Sequence, residues 1–175
     1  MTTGDLRTKA AGEIGSRADI FFESADLGGG WVSWNLKDGS RFNGFIEPLQ
    51  VRREAPTADG RPVARVRMLA EHRHSNLSNH VHGAVTLALM DISLFAACNQ
   101  FGLMGMGPAV TLDLSAQFTG GGRVGEPLDA LVELLRETRR LVFLRGLIVQ
   151  GADDAHMVAS FTGTIRKPGV KPPAA

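Results

Sequence analysis

The spacing of hydrophobic residues changes along the chain, and each change marks an element. Pro62 to Ala70 alternates Ala64, Val66 and Met68 against Val63, Arg65 and Arg67, the period-two signature of a half-exposed strand. Phe42 to Arg53 also reads as a strand, set off by the turn-rich stretch Ala55 to Gly60. The run HGAVTLALMDISLFAACNQF over 82–101 is different, because between Val85 and Cys98 only Thr86, Asp91 and Ser93 are polar. This composition predicts a helix stopped at Gly102, apolar on nearly every side and therefore buried on nearly every side. A membrane span needs about 20 apolar residues without a central acid, so a core helix is the better reading.

Beyond the helix the period returns to two. Val110, Leu112, Leu114, Ala116 and Phe118 alternate with Thr111, Asp113, Ser115 and Gln117, which predicts a strand with its apolar set on one face. Leu128 to Glu137 and Leu141 to Val149 follow, joined by Thr138-Arg139-Arg140, and a last strand, Met157 to Ile165, comes after the Gly151 turn. Two strands, a helix and four strands make an α+β domain with the helix on one face of an antiparallel sheet. One helix covers only one face, so the other face or a sheet edge is expected to meet a second copy of the chain.

The ends look different. Residues 1–40 are polar and glycine-bearing and form an N-terminal extension, with a short helix expected between Leu6 and Phe22. The domain runs over 41–167, and the proline-rich stretch 168–175 reads as a flexible tail.

Composition narrows the functional classes. The 175 residues carry 19 Lys+Arg against 18 Asp+Glu, a net charge of +1, which argues against a broad basic surface for nucleic acid. The single cysteine, Cys98, excludes an internal disulfide and a zinc ribbon, and it suits a reducing compartment. No apolar run follows the first charged residues, so a cytoplasmic protein without a secretory signal is expected.

Asp91 is the first candidate for chemistry. A carboxylate in a buried apolar helix costs several kcal/mol unless it is paired or faces a cavity, so it is a structural acid paired with an arginine or a working base or nucleophile. The second candidate is the helix start, where the amides of His82, Gly83 and Ala84 lack intrahelical partners. They lie at the positive end of the dipole, suited to a developing oxyanion. Asp91 is nine residues past His82. Counted at ~100° and 1.5 Å per residue, it is expected on the opposite side of the helix and ~13 Å further along. If both groups are catalytic, the spacing favours a site shared by two chains. His72 and His74, spaced to share a strand face, raise the question of a metal. With Glu71 as the nearest carboxylate and no nearby cysteine, loop histidines are the reading adopted and no metal is expected. Gly120-Gly121-Gly122-Arg123 lacks the strand-to-helix context of a phosphate loop.

Asn76-Leu-Ser-Asn-His-Val-His82-Gly83, followed by Asp91, resembles the hotdog-fold acyl-CoA thioesterases, in particular the phenylacetate-pathway group. The group's pattern is Asn, five residues, His-Gly-Gly, then an acid eight residues after the first glycine. The resemblance continues through Thr111-Leu-Asp-Leu-Ser, Gly125-Glu-Pro-Leu-Asp-Ala and Arg139-Arg-Leu-Val-Phe143, and covers about residues 42–167. It implies a curved antiparallel sheet wrapped around a long central helix, dimers or dimers of dimers with shared sites, and hydrolysis of a CoA thioester with no further cofactor. By position, Gly83 N–H and Asn76 would polarise the carbonyl and Asp91 of the partner chain would activate water or attack directly. Thr111 would orient that water, and His82 would hold the site or assist the leaving thiolate. Ala84 stands where the group has its second glycine, and a methyl group there would narrow the pocket. Arg139, Arg140 and Phe143 are the candidates for contact with CoA or the acyl group. A hotdog enoyl-CoA hydratase and a non-catalytic acyl-CoA binding module are the alternatives.

Overall fold

The computed structural model describes residues 22–104 and 109–168. The helix expected between Leu6 and Phe22, and the tail past Pro168, lie outside the described residues.

Ten strands are described. They are β1 (Phe22–Glu23), β2 (Asp26–Gly28), β3 (Trp31–Ser33), β4 (Asn35–Leu36), β5 (Leu49–Glu54), β6 (Val63–Leu69), β7 (Val110–Phe118), β8 (Pro127–Glu137), β9 (Leu141–Gln150) and β10 (His156–Arg166). The α-helix, α1, spans Gly83–Gln100 between β6 and β7. Strands β1 and β4 pair with each other, while the rest form one antiparallel sheet in the order β2-β3-β5-β6-β8-β9-β10-β7. The helix lies across one face of that sheet and touches β5 through β10. By length and composition α1 would pass for a membrane span, but most of it is buried within the domain.

Period-two alternation builds the core. Ala64, Val66 and Met68 of β6 and Leu128, Ala130 and Val132 of β8 face the helix. Val142, Leu144 and Ile148 of β9 and Ala159, Phe161 and Ile165 of β10 join them, all buried. Fully burying one such side chain stabilises the fold by about 1.5–3 kcal/mol. Gly146 of β9 leaves the space that the Phe161 ring fills, and a Cβ there would also stand 2.5 Å from the Leu131 carbonyl oxygen. Gly102, with φ of 74°, follows the helix where a stop was expected.

The face away from α1 is polar over β5, β6 and β8. Arg65 donates twice to Asp154, at 2.7 and 2.8 Å, and also to Asp129 at 2.8 Å and Glu54 at 2.9 Å. Arg67 donates to both oxygens of Asp129. The guanidinium groups of Arg52 and Arg67 both lie over the Trp31 ring, with central carbons 4.5 and 4.7 Å from its centroid. Residues 26–33, which carry no strand signal in the sequence, thereby extend the sheet.

Two local expectations are corrected. The stretch Phe42 to Arg53 is not one strand: Phe42–Phe45 forms a 3-10 turn and only Leu49–Glu54 enters the sheet. Pro48 has no N–H to give a ladder, and β5 begins immediately after it. His72 and His74 do not share a strand face either, because residues 72–74 form a 3-10 turn.

Candidate active site

Exposure along α1 follows a single stripe. Gly83, Ala84, Leu87, Asp91 and Phe95 are exposed or half-buried, whereas Val85, Thr86, Ala88, Leu89, Met90, Ile92, Ser93 and Leu94 are buried. These open positions follow the three- and four-residue spacing of one helical face. Asp91 therefore does not lie on the opposite side of the helix from its start. His82 is the N-cap, with an extended backbone (φ −64°, ψ 138°), so helical phase begins at Gly83 rather than His82. The separation along the axis stands, at ~12 Å for eight residues.

Both ends of the stripe meet β7. Thr111 Oγ1–H donates to Asp91 Oδ1 at 2.6 Å. At the other end, the edge of the Phe118 ring lies 3.8 Å from where a Gly83 Cβ would sit. The strand's alternation would place Thr111 on the face away from the helix, with Leu112 in its stead. A bulge prevents this. Asp113 pairs with Thr164 while Thr111 pairs with Ile165, leaving Leu112 as the extra residue and turning Thr111 toward α1.

The helix start leaves one amide open. Ala84 N–H donates to His82 Nδ1 at 3.0 Å, and Val85 and Thr86 N–H both donate to the His82 carbonyl. The Gly83 N–H donates to no described group, at the end of the helix where the dipole favours negative charge. The preceding loop is tightly tied. His82 N–H donates to the His74 carbonyl, Val81 N–H to the Gly122 carbonyl, and Asn76 Oδ1 accepts from Ser78 and His80 N–H. Asn76 and His82 line the same shallow depression, together with His72, Ser75 and Asn79.

The remaining candidates lie elsewhere. Arg139 and Arg140 are exposed at the β8–β9 turn. Successive pairs Val110–Arg166 and Arg166–Leu141 put that turn at the same end of the sheet as Thr111 and Asp91. Phe143 alternates with the core residues Val142 and Leu144, so it lies on the sheet face away from α1 and is not brought together with Asp91 or Gly83. Cys98 is buried, and burial pushes its thiol up to about 12, which leaves it unreactive. Among the described residues no group of three or more His, Cys, Asp or Glu side chains is placed to hold a metal ion. Phe118 and His74 contribute in places the sequence did not assign them, beside Gly83 and beneath the loop that leads into α1. Nothing in a period-two strand distinguishes a core phenylalanine from one set against a helix N-terminus.

Comparison with known proteins agrees with this architecture. Residues 78–155 match the thioesterase superfamily. The chain is similar to the phenylacetic acid degradation protein PaaI from Thermus thermophilus, in a mutant form, with 27% identity over 69% of this chain and 93% of that one and a TM-score of 0.54. It is also similar in fold to Escherichia coli PaaI (23% identity, 61% and 73% covered, TM-score 0.53). A third likeness is to smu.793 from Streptococcus mutans, whose structure holds acetyl CoA (18% identity, 63% and 84% covered, TM-score 0.54). No curated protein matches the chain. The fold is the hotdog fold, one long helix against a large antiparallel sheet, and it is shared with the PaaI proteins.

Proposed function

We propose that this protein is an acyl-CoA thioesterase, hydrolysing a thioester to a carboxylic acid and free CoA. The observation that carries the reading is the pairing of two groups on one open stripe of α1. One is a carboxylate with a hydroxyl fixed on one oxygen, and the other is a backbone N–H left without an acceptor. The Gly83 N–H suits the oxyanion of a tetrahedral intermediate. With Oδ1 of Asp91 engaged by Thr111, Oδ2 is free to take a proton from the attacking water. Collapse of the intermediate breaks the carbon–sulfur bond and releases the CoA thiolate. With Nδ1 accepting from Ala84 N–H, His82 carries its proton on Nε2 and can donate a hydrogen bond to the departing thiolate, while the proton Asp91 took from water passes to the thiolate or to solvent.

The ~12 Å between Asp91 and Gly83 along the helix favours a site shared by two chains. Strand β7 is the last of its sheet, and Val110, Leu112 and Phe118 on it are 38, 52 and 50% exposed. Antiparallel pairing of two β7 strands centred on Leu114–Ser115 sets Thr111 of one chain opposite Phe118 of the other. Asp91 is then brought toward the second chain's Gly83. Arg139 and Arg140, at the Asp91 end of the sheet, suit the phosphates of CoA. A neighbour holding acetyl CoA supports this class of ligand.

Thiol release from a panel of short, long and aromatic acyl-CoAs, with Asp91→Asn alongside, tests the reading. Release confined to one substrate class and lost in the variant supports it. Binding without release favours a binding module, and loss of enoyl absorbance without thiol favours a hydratase.

A further inference from the structure

We infer that His74 is a positioning residue that decides which amide at the start of α1 is left open for the substrate. The inference rests on the thioesterase reading for its catalytic consequence, but its structural content stands apart from it. His74 is 1% exposed and bound at both ring nitrogens. Its Nδ1 accepts from Glu71 N–H at 2.9 Å, and its Nε2 lies 2.8 Å from the Phe45 carbonyl oxygen. These partners fix the neutral tautomer with the proton on Nε2, because Nδ1 faces a donor and Nε2 faces an acceptor. The ring also packs edge-on against Phe45, with centroids 5.2 Å apart. One buried side chain thus joins the turn at 42–45 to the turn at 72–74.

The carbonyl of the same residue reaches the helix. His74 C=O accepts from His82 N–H at 2.8 Å, and His82 then satisfies Ala84 through its ring and Val85 and Thr86 through its carbonyl. Of the first four amides of α1, three are closed by His82, and only Gly83 stays open. A shift of His82 would free Ala84 N–H or cover Gly83, so the place of the open donor depends on where His74 holds the loop. None of the groups that bind His74 belongs to the substrate-facing stripe, so it acts through His82 rather than on the reacting atoms.

His74→Phe keeps the ring and its contact with Phe45 while removing both nitrogens. Arg73 still ties the two turns, through Nη2–H to the Glu47 carbonyl at 3.1 Å, so the domain is expected to fold. Two readouts are needed on the full chain. In the first, kcat for acyl-CoA hydrolysis falls on the order of 100-fold, as for a misplaced catalytic group, while KM stays within about threefold. In the second, the Ala84 amide exchanges with solvent at least about tenfold faster, while amides at Met90 to Leu94 keep wild-type protection. His74→Asn, which restores an acceptor near Nδ1, is expected to recover most of both. A folded His74→Phe with wild-type exchange at Ala84, or an asparagine variant no better than phenylalanine, overturns the inference. If His74→Phe does not fold, His74→Gln, which keeps only the bond at the Nε2 position, is expected to lose Ala84 protection while His74→Asn keeps it, and wild-type Ala84 protection in His74→Gln would overturn the inference equally. Wild-type protein that releases no thiol ends the hydrolase reading alone, since the exchange measurement still decides the role of His74.

Discussion

Thr111 donates a 2.6 Å hydrogen bond to Asp91, and it does so from a strand whose simple alternation would point it the other way. The bulge at Leu112 makes the bond possible. A hydrogen bond to a charged group contributes about 1.5–3 kcal/mol, so Thr111→Val is expected to lower kcat by roughly 10- to 100-fold. Thr111→Ser, which keeps the hydroxyl, is expected to retain most activity. Deleting Leu112 removes the unpaired residue and leaves Thr111 opposite Ile165, still facing α1, so the shortened strand is expected to keep most activity. A deletion variant as impaired as Thr111→Val would show that the bulge itself, and not only the face Thr111 occupies, is required.

Asp91→Asn keeps an oxygen to accept from Thr111 and removes the base. Loss of about 100- to 10,000-fold in turnover is expected, in the range for a single general base, with the melting temperature little changed. Full thiol release by the variant would make Asp91 structural.

Gly83→Pro isolates the open amide. Proline is well tolerated at the first position of a helix, and the extended backbone of His82 suits a residue before proline. A side chain at Gly83 would meet the Phe118 ring at an ordinary 3.8 Å. The variant is expected to fold normally and lose about 100- to 1,000-fold in kcat, the usual effect of removing one oxyanion donor. Mixing it with Asp91→Asn gives a further test. If each site takes Asp91 from one chain and Gly83 from the other, a mixed dimer holds one intact site and activity returns. Mixtures as inactive as either parent would place each site within one chain.

Gly146→Ala tests the core. Its Cβ would stand 2.5 Å from the Leu131 carbonyl oxygen and overlap the Phe161 ring, neither of which can yield cheaply. Overpacking of this kind costs about 1–3 kcal/mol, read as a lower urea midpoint at unchanged slope. An unchanged midpoint would mean that the sheet gives way locally.

The ion-pair network predicts acid sensitivity. Hydrogen bonds from Arg65 hold the Asp154 carboxyl below its ordinary value of 3.8. The folded state therefore binds that proton more weakly than the unfolded chain does. The stabilisation is complete above pH 3.8 and is lost as pH falls from there through the lowered folded value. Arg65→Met removes this contribution and leaves Asp129, with a side chain 7% exposed, to Arg67 alone. A cost of about 3–5 kcal/mol at pH 7 is expected, as for breaking a buried pair, narrowing toward pH 3. A wild-type-to-variant gap that does not narrow in acid would put the effect in packing instead.

Much of the fold was legible in the chain because it depends on local patterning. The central helix, its stop at Gly102 and the strands from Pro62 to Ile165 all follow from hydrophobic period and turn residues. Asp91 stood out because a carboxylate amid apolar residues has to be explained wherever the helix goes. The short strands over 26–33 were not legible, since Trp31 is held by Arg52 and Arg67, distant in sequence. The 3-10 turn at Phe42–Phe45 was missed because its apolar residues imitate a strand.

The sequence by itself determined the central helix, the long strands from Pro62 to Ile165, most of the residues that face the core and which polar groups need a reason to be where they are. These properties are set by nearest neighbours and by the cost of leaving apolar surface in water. Only the tertiary structure decided which candidates meet. Thr111 reaches Asp91 because one extra residue in β7 inverts a local register. Gly83 keeps the open amide because His82, held by His74, closes the next three. Phe143 faces away from the helix because its neighbours Val142 and Leu144 take the core positions. Register and cap geometry depend on hydrogen bonds between segments far apart in the chain, and single-sequence periodicity carries no record of them.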